Sequence, residues 1–220
     1  LGWKFAAMVQ GWGGDGLLAS IERERRPVGL ANCQAAAAHA AVRGQIDRAY
    51  TPDIHADSAA GAVARAALGA HILALGNAEN EARGIEFGYR YRDTPIIVRD
   101  ADDAEPEWRQ LDYVPSTWPG ARPPHLFLAD GSALFDHFGM GFTLVVFVAD
   151  DGAALLDSAA ALGLPLKILR IDDAAVRAVY ERDYVLIRPD QIVAWRGNQL
   201  PADCRALLDT VRGQPARSET

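Results

Sequence analysis

Several stretches of this 220-residue sequence carry side chains that could do chemistry. Gly11-Trp12-Gly13-Gly14-Asp15-Gly16 has the spacing G-x-G-x-x-G, in which glycines let a dinucleotide's pyrophosphate approach a helix N-terminus. That chemistry needs a strand ahead of the turn. Here a helical run precedes it, so the glycines read as closing one helix and turning the chain into the next. His125, Asp130, Asp136 and His137 have metal-ligand side chains, but their spacing fits no familiar zinc pattern; in a Pro- and Gly-rich region they read as backbone hydrogen-bonders. Ser132 follows Gly131 without the second glycine of a nucleophile elbow, and no base stands at a telling spacing. His39 and His71 lie in Ala-rich segments and read as satisfied packing or surface residues. Phe87, Tyr89 and Tyr91 alternate with Gly88, Arg90 and Arg92, a period of two that predicts a strand with one aromatic face. Such a face packs a sheet or, alternatively, lines a pocket for an aromatic ligand. None of these patterns assembles a catalytic constellation, and the residues themselves assign no catalytic, cofactor-binding or metal-ligating position.

Composition narrows the partners. A net charge of −7 argues against nucleic acid and anionic membrane surfaces, which require a basic field. The longest apolar runs fall well short of a membrane span, and Lys4 interrupts the opening apolar segment where a signal peptide would be uncharged. Cys33 and Cys204 stand far apart without metal-ligand spacing and read as free thiols, the form a reducing cytoplasm favours.

The elements that must position these groups divide into two kinds. In Leu1–Trp12 the apolar residues Leu1, Phe5, Met8, Val9 and Trp12 recur at helical steps, with no initiator Met and no capping residue ahead of them. Residues 15–28 predict a helix carrying Leu17, Leu18, Ile21 and Val28 toward one side, with Glu22 and Arg26 on the wet side. Pro27 is expected to end or kink it near Arg26, and the Ala-rich residues 31–44 to form a second helical piece. A third helix is predicted after a cap at Asp57 or Ser58, with Val63, Ala66, Ala67, Ala70 and Leu73 on one stripe. Residues 100–130 form an acidic, Pro-rich connecting arm containing Asp100, Asp102 and Asp103, with a possible short strand at 109–114.

Beyond residue 131 the pattern is regular. Phe142–Val148 reads as a strand covered on both faces, and residues 151–163 as a helix with Leu155, Leu156, Ala159 and Leu162 inward. A strand at 166–171 and a short helix capped by Asp172 or Asp173 follow. Strands at 184–188 and 191–196 meet at a Pro189-Asp190 turn. The closing helix has Pro201 in its first turn and Cys204, Leu207, Leu208 and Val211 buried. The order β-α-β-α-β-β-α implies a mixed sheet flanked by helices, an order found in thioredoxin-like domains. A thioredoxin keeps its reactive cysteine where the first strand meets its helix. Here that turn reads Ala149-Asp150-Asp151-Gly152, which has no thiol. The fold class is therefore α/β, in parts 1–99 (helical), 100–130 (arm), 131–213 (thioredoxin-like and redox-silent) and 214–220 (disordered tail).

The chain also resembles a family. Leu1-Gly2-Trp3-Lys4-Phe5, then Leu17-Leu18-Ala19-Ser20-Ile21 and Glu24-Arg25-Arg26-Pro27, resemble the segment after the second flavin-contacting motif of FAD-dependent aromatic-ring hydroxylases, the phenol-hydroxylase-like flavoprotein monooxygenases. Tyr113, Pro119, Gly120, Arg122, Pro124 and His125 match that family's passage into a thioredoxin-like C-terminal domain, and Arg188–Gly197 its closing hairpin. Ile21 replaces the usual Tyr, and Gln191 the usual Gly after Pro-Asp. The resemblance implies a C-terminal part of a larger cytoplasmic enzyme cut at Leu1. The parent would use FAD, NAD(P)H and O2 on a phenolic ring; the FAD-binding domain lies upstream, and no cofactor is expected on this chain alone. It implies a structural role here, with a homodimer contact as one option. Two other readings are a stand-alone, non-redox binding or dimerisation module and a glutathione-transferase-like enzyme, in which the thioredoxin part would come first.

Overall fold

A computed structural model describes residues 1–76, 78, 80–99 and 104–214. Asp100, Asp102 and Asp103 of the acidic arm, and 215–220 of the expected tail, lie outside the described residues.

Helix α1 (Gly2–Val9) ends at the glycine turn, where Gly11 adopts a φ of 82°, and α2 (Gly16–Ala49) begins at its last glycine. The glycines thus do close one helix and open the next. Pro27 does not end α2, contrary to the sequence expectation. The helix runs through it for 34 residues, and the Ala-rich piece is its continuation. A proline forfeits one hydrogen bond and crowds the preceding turn. Here the turns on either side are anchored by the buried residues Glu24 and Val28. Leu17 is buried as predicted, whereas Leu18 faces outward.

Helix α3 (Ala59–Leu75) starts at Ser58, whose hydroxyl accepts from the Gly61 amide at 3.2 Å. Its predicted stripe does not pack: Val63 is 69% and Leu73 82% exposed. The residue buried on this helix is Gly61, whose backbone approaches Ala56 so closely that a Cβ would meet its carbonyl oxygen. The aromatic alternation at 85–92 makes no strand either. Residues Arg83–Glu86 form a one-turn helix, α4, and the following segment makes a single bridge, Arg90 to Ala121. Small residues decide this. Gly84 packs on the Arg109 carbonyl and Gly88 on that of Gly84, which coils the segment instead of extending it. Residues 109–114 likewise form no strand.

The C-terminal part matches its predicted order. Strands β1 (Phe142–Val146), β2 (Leu166–Arg170), β3 (Tyr184–Ile187) and β4 (Val193–Gly197) form one sheet in the order β2-β1-β3-β4. β1 pairs parallel with β2 and antiparallel with β3, and β3 pairs antiparallel with β4. Helices α5 (Ala153–Ala161) and α7 (Cys204–Val211) cover one face. Helix α6 (Ala174–Tyr180) covers the other. Asp173 and Asp203 cap α6 and α7 by accepting from backbone amides. Pro201 therefore lies ahead of the α7 cap, not in its first turn.

The two kinds of element share one core. Ala7, Trp12 and Leu17 from the helices are buried in the same cluster as Phe142, Leu144 and Leu208. The N-terminal end of α2 also abuts the C-terminal end of α7: the Gly14 and Gly16 amides donate to the carbonyls of Arg212 and Gly213 at 2.7 and 2.9 Å. Amide donors unsatisfied at one helix end thus meet carbonyls unsatisfied at another. The described part of the Pro-rich arm closes on β4, with Gly120 donating to Val193 at 2.8 Å.

Two substitutions test this packing. Gln191 holds a φ of 62° in the β3–β4 turn, and Gln191→Gly should raise unfolding free energy by about 0.5–1 kcal/mol, read as a shift in urea midpoint. A Cβ at Gly14 would lie 2.4 Å from the Gly213 carbonyl oxygen, so Gly14→Ala should cost about 1–3 kcal/mol in the same measurement.

Candidate functional site

The most densely charged buried place joins α1, α2 and the hairpin turn. Helix α1 brings Lys4 inward, and α2 brings Ser20 and Glu24, four residues apart on one face. The Lys4 ammonium donates to Ser20 Oγ and to Glu24 Oε2, each at 2.6 Å. Arg188, just ahead of the Pro189-Asp190 turn, donates to both Glu24 oxygens at 2.6 and 3.0 Å, and Thr94 donates to Oε1 at 2.8 Å. Asp190 receives two further Arg188 donors at 3.0 and 2.6 Å. Two cations thus face two carboxylates, with Glu24 only 2% and Arg188 1% exposed. Aromatic rings complete the enclosure. The Arg188 guanidinium lies 5.2 Å from the Trp3 ring centre and 5.6 Å from that of Tyr91.

The electrostatics follow from burial. Desolvation pushes the Glu24 carboxyl up, but the Arg188 guanidinium and Lys4 ammonium overcome it and hold the group below the usual carboxylate range. Asp190 is held down in the same way, chiefly by Arg188 against its own burial. Burial lowers the Lys4 ammonium despite its bond to Glu24, and the Arg188 guanidinium is raised because its two carboxylates outweigh desolvation.

The positions singled out from sequence come together only in part. The glycine turn offers no dinucleotide cradle, because the Gly213 backbone fills the space beside Gly14 and Gly16. The turn at 149–152 sits at the N-terminus of α5, where Asp150 and Asp151 accept from the amides of Gly152 and Ala153 at 3.1 Å each. Carboxylates thus occupy the place of a reactive thiol. Cys33 is exposed and Cys204 buried, and neither is in a disulfide; burial pushes the Cys204 thiol up, away from reactivity. Among the described residues no group of three or more His, Cys, Asp or Glu could hold a metal ion. His125 instead packs edge-on against Phe127 and Phe135.

One pairing had no telling sequence spacing: His137 Nε2 lies 2.8 Å from Ser132 Oγ. The third partner, Asp130, bonds the serine at 2.6 Å, so this carboxylate does not orient the histidine as a base. His39 is half-buried, and its Nε2 has no hydrogen-bond partner, contrary to the expectation of a satisfied residue. The residues that sequence reasoning missed are Lys4, Ser20, Glu24, Thr94, Arg188 and Asp190. The available signal was Lys4 itself, a charge inside an apolar helical run.

Residues 116–215 match the family model described as aromatic-ring hydroxylase, C-terminal. Those residues carry the C-terminal domain of an aromatic-ring hydroxylase. It is 36% identical over 210 residues to the FAD-dependent monooxygenase opdD of Penicillium oxalicum, a match covering 91% of this chain and 40% of that protein. Over 225 residues it is 30% identical to the aklavinone 12-hydroxylase RdmE of Streptomyces purpurascens, covering 96% of this chain and 37% of the relative. Among solved structures it is similar to RebC with bound 7-carboxy-K252c, with a TM-score of 0.87 and 40% identity, covering 98% of this chain and 40% of that one. The chain spans about two fifths of the length of these curated relatives. The charged residues of the buried cluster fall on the segments that carry the family resemblance: Lys4 after Trp3, Glu24 before Arg25-Arg26-Pro27, and Arg188 and Asp190 around Pro189.

Removing one partner from such a set leaves buried charge uncompensated. Glu24→Gln should cost about 3–5 kcal/mol in chemical denaturation. The pH dependence has a definite sign. Because folding lowers the Glu24 and Asp190 pKa values, their stabilisation is fully present above the usual 4.5 and 3.8 and is lost as pH falls through the lowered folded-state values. Wild-type stability should therefore decline below about pH 4.5, and Glu24→Gln should decline less steeply there.

Proposed function

We propose that this chain is the C-terminal portion of a flavin-dependent monooxygenase that hydroxylates a phenolic aromatic substrate with NAD(P)H and O2, and that it is non-catalytic by itself. The observation that carries this reading is the likeness, over 91% of this chain, to an FAD-dependent monooxygenase, together with a glycine turn that offers no dinucleotide cradle. The chemistry of such a reaction, two electrons drawn from NAD(P)H and one oxygen atom placed on the ring, is supplied by bound FAD. The glycine turn does not fit that cofactor, since Gly213 fills the space beside Gly14 and Gly16. FAD is then held elsewhere in the parent, and no step of the reaction is assigned to a side chain here.

What this chain contributes is a rigid seat. Lys4, Glu24 and Arg188 hold α1 and α2 against the thioredoxin-like sheet, so that residues 1–17 and 131–213 behave as one folding unit. Leu1, Phe5 and Val9 form an exposed apolar stripe on α1, at four-residue steps, that would meet the flavin-binding part of the parent. Among the described residues no helix is long and apolar enough to cross a membrane, and the free thiols suit a cytoplasmic location.

The test compares this chain with a longer protein that includes the segment its relatives carry ahead of it. After mixing with FAD and desalting, the 220-residue chain should retain no flavin absorbance and oxidise no NADPH with phenol present. The longer protein should retain FAD and consume NADPH when a phenol is added. Loss of flavin from the longer protein, or stoichiometric retention by the short one, overturns the reading.

A further inference from the structure

We infer that Arg122, ahead of β1, anchors a binding site for a single carboxylate carried on an apolar body. Among the described residues the buried arginines each meet a carboxylate: Arg90 meets Glu105, Arg188 meets Glu24 and Asp190, and Arg196 meets Glu181. The other half-buried arginines are engaged as well, Arg177 by Asp183, Arg212 by Asp209, and Arg99 and Arg182 by backbone carbonyls. Arg122 is half-buried too, yet it has no hydrogen-bond acceptor and no ion-pair partner among the described residues. A guanidinium drawn part-way out of water with its donors unmet is stabilised by any acceptor that reaches it.

The backbone fixes where that group stands. Gly120 donates to the Val193 carbonyl at 2.8 Å, and Val193 donates to the Ala121 carbonyl at 2.9 Å, which ties the residues before Arg122 to β4. Pro123 and Pro124 follow with restricted φ, and the Pro124 carbonyl accepts from the buried Tyr180 hydroxyl at 3.0 Å. The guanidinium lies over the Phe135 ring, 4.5 Å from its centre. That ring face attracts the charge but offers no lone pair, so the fork keeps its donors for a planar, bidentate acceptor. Two further groups stand beside it. Burial raises the Tyr113 hydroxyl's pKa and the nearby Arg122 charge opposes it, while the His125 ring packs on Phe135 at 4.9 Å. Neither has a hydrogen-bond partner among the described residues. Donors gathered without acceptors select an anion.

The neighbours select which anion. Exposed Asp112 and Asp136, each next in sequence to one of these rings, disfavour a dianion such as phosphate more than a monoanion. Phe87 meets Tyr113 edge-on at 6.2 Å, and Phe127, 71% exposed, meets His125 at 5.4 Å, so apolar rings border the donors. The carboxylate comes either on a free organic acid or on an acidic side chain of the segment that the relatives carry ahead of this chain.

The experiment follows backbone amide and arginine Nε–Hε signals of the 220-residue chain by NMR as cyclohexanecarboxylate is added at neutral pH. So small a ligand should bind with a Kd on the order of 10 mM and shift the Arg122 signal. Cyclohexanol, the same body without the charge, should leave that signal unmoved, and inorganic phosphate should bind more weakly than the carboxylate. Arg122→Gln should weaken binding by about 10-fold or more, read from the Ala121 and His125 amides, at an unchanged thermal midpoint because the side chain has no partner to lose. Arg122→Lys keeps the charge without the fork and should fall between the two. Arg205→Gln, on α7, should bind as the wild type does. No shift at Arg122, equal binding by Arg122→Gln, an equal response to cyclohexanol or phosphate, or lost binding in Arg205→Gln overturns the site. A longer protein that includes the preceding segment separates the two sources. Binding of cyclohexanecarboxylate there as well assigns a free acid; lost binding with Arg122 protected from phenylglyoxal assigns an acidic side chain of that segment. Lost binding with Arg122 still open to phenylglyoxal overturns the site. None of these readouts uses flavin or NADPH, so the site and the hydroxylase reading fail separately.

Discussion

Two buried cations and the buried Glu24 carboxylate, closed by the partly exposed Asp190, hold this chain in its shape. Each charge is costly to bury alone, and the set is tolerable because every Glu24 oxygen meets two donors and Arg188 spends its donors on two carboxylates. Arg188 and Glu24 lie 164 positions apart in sequence, so the bidentate pair fixes the hairpin of the sheet against the first third of a long helix. An apolar contact would tolerate sliding. A bidentate guanidinium–carboxylate pair, closed by a lysine on one side and an aspartate on the other, accepts one register.

Around that fixed point the aromatic residues do the remaining work. Trp3 and Trp12 lie stacked with centres 6.4 Å apart, and both meet Phe142 of β1 edge-on at 6.0 and 6.3 Å. Trp3 therefore packs against the strand and the buried guanidinium together. The same segment is tied a second time at the glycine turn, where Arg212 donates to the Trp12 carbonyl at 3.0 Å. Helix α1 and the start of α2 are consequently part of the thioredoxin-like body, while the distal half of α2 and α3 project from it with apolar faces open.

The thioredoxin-like part has carboxylates where a thioredoxin keeps its reactive thiol. A thioredoxin uses the strand-to-helix turn to activate sulfur; here Asp150 and Asp151 accept from the Gly152 and Ala153 amides at that turn, carboxylates near the positive end of α5. The sheet has become a platform for α1 and α2.

Residue pattern alone was enough for everything that depends on neighbours within a few positions. The continuous apolar run of β1, the inward Cys204, Leu207, Leu208 and Val211 of α7, the caps at Ser58 and Asp173, and the glycine turn as a helix joint were all legible, because burial period and capping are local. The failures share a cause. Pro27 reads as a breaker, but buried anchors on both sides carry the helix through; Phe87, Tyr89 and Tyr91 alternate like a strand, but Gly84 and Gly88 admit backbone that coils the segment. The role of Lys4, Glu24, Arg188 and Asp190 was invisible for the same reason. A charge in a sequence is a surface residue until a partner from another part of the chain neutralises it out of water, and only three-dimensional proximity supplies that partner.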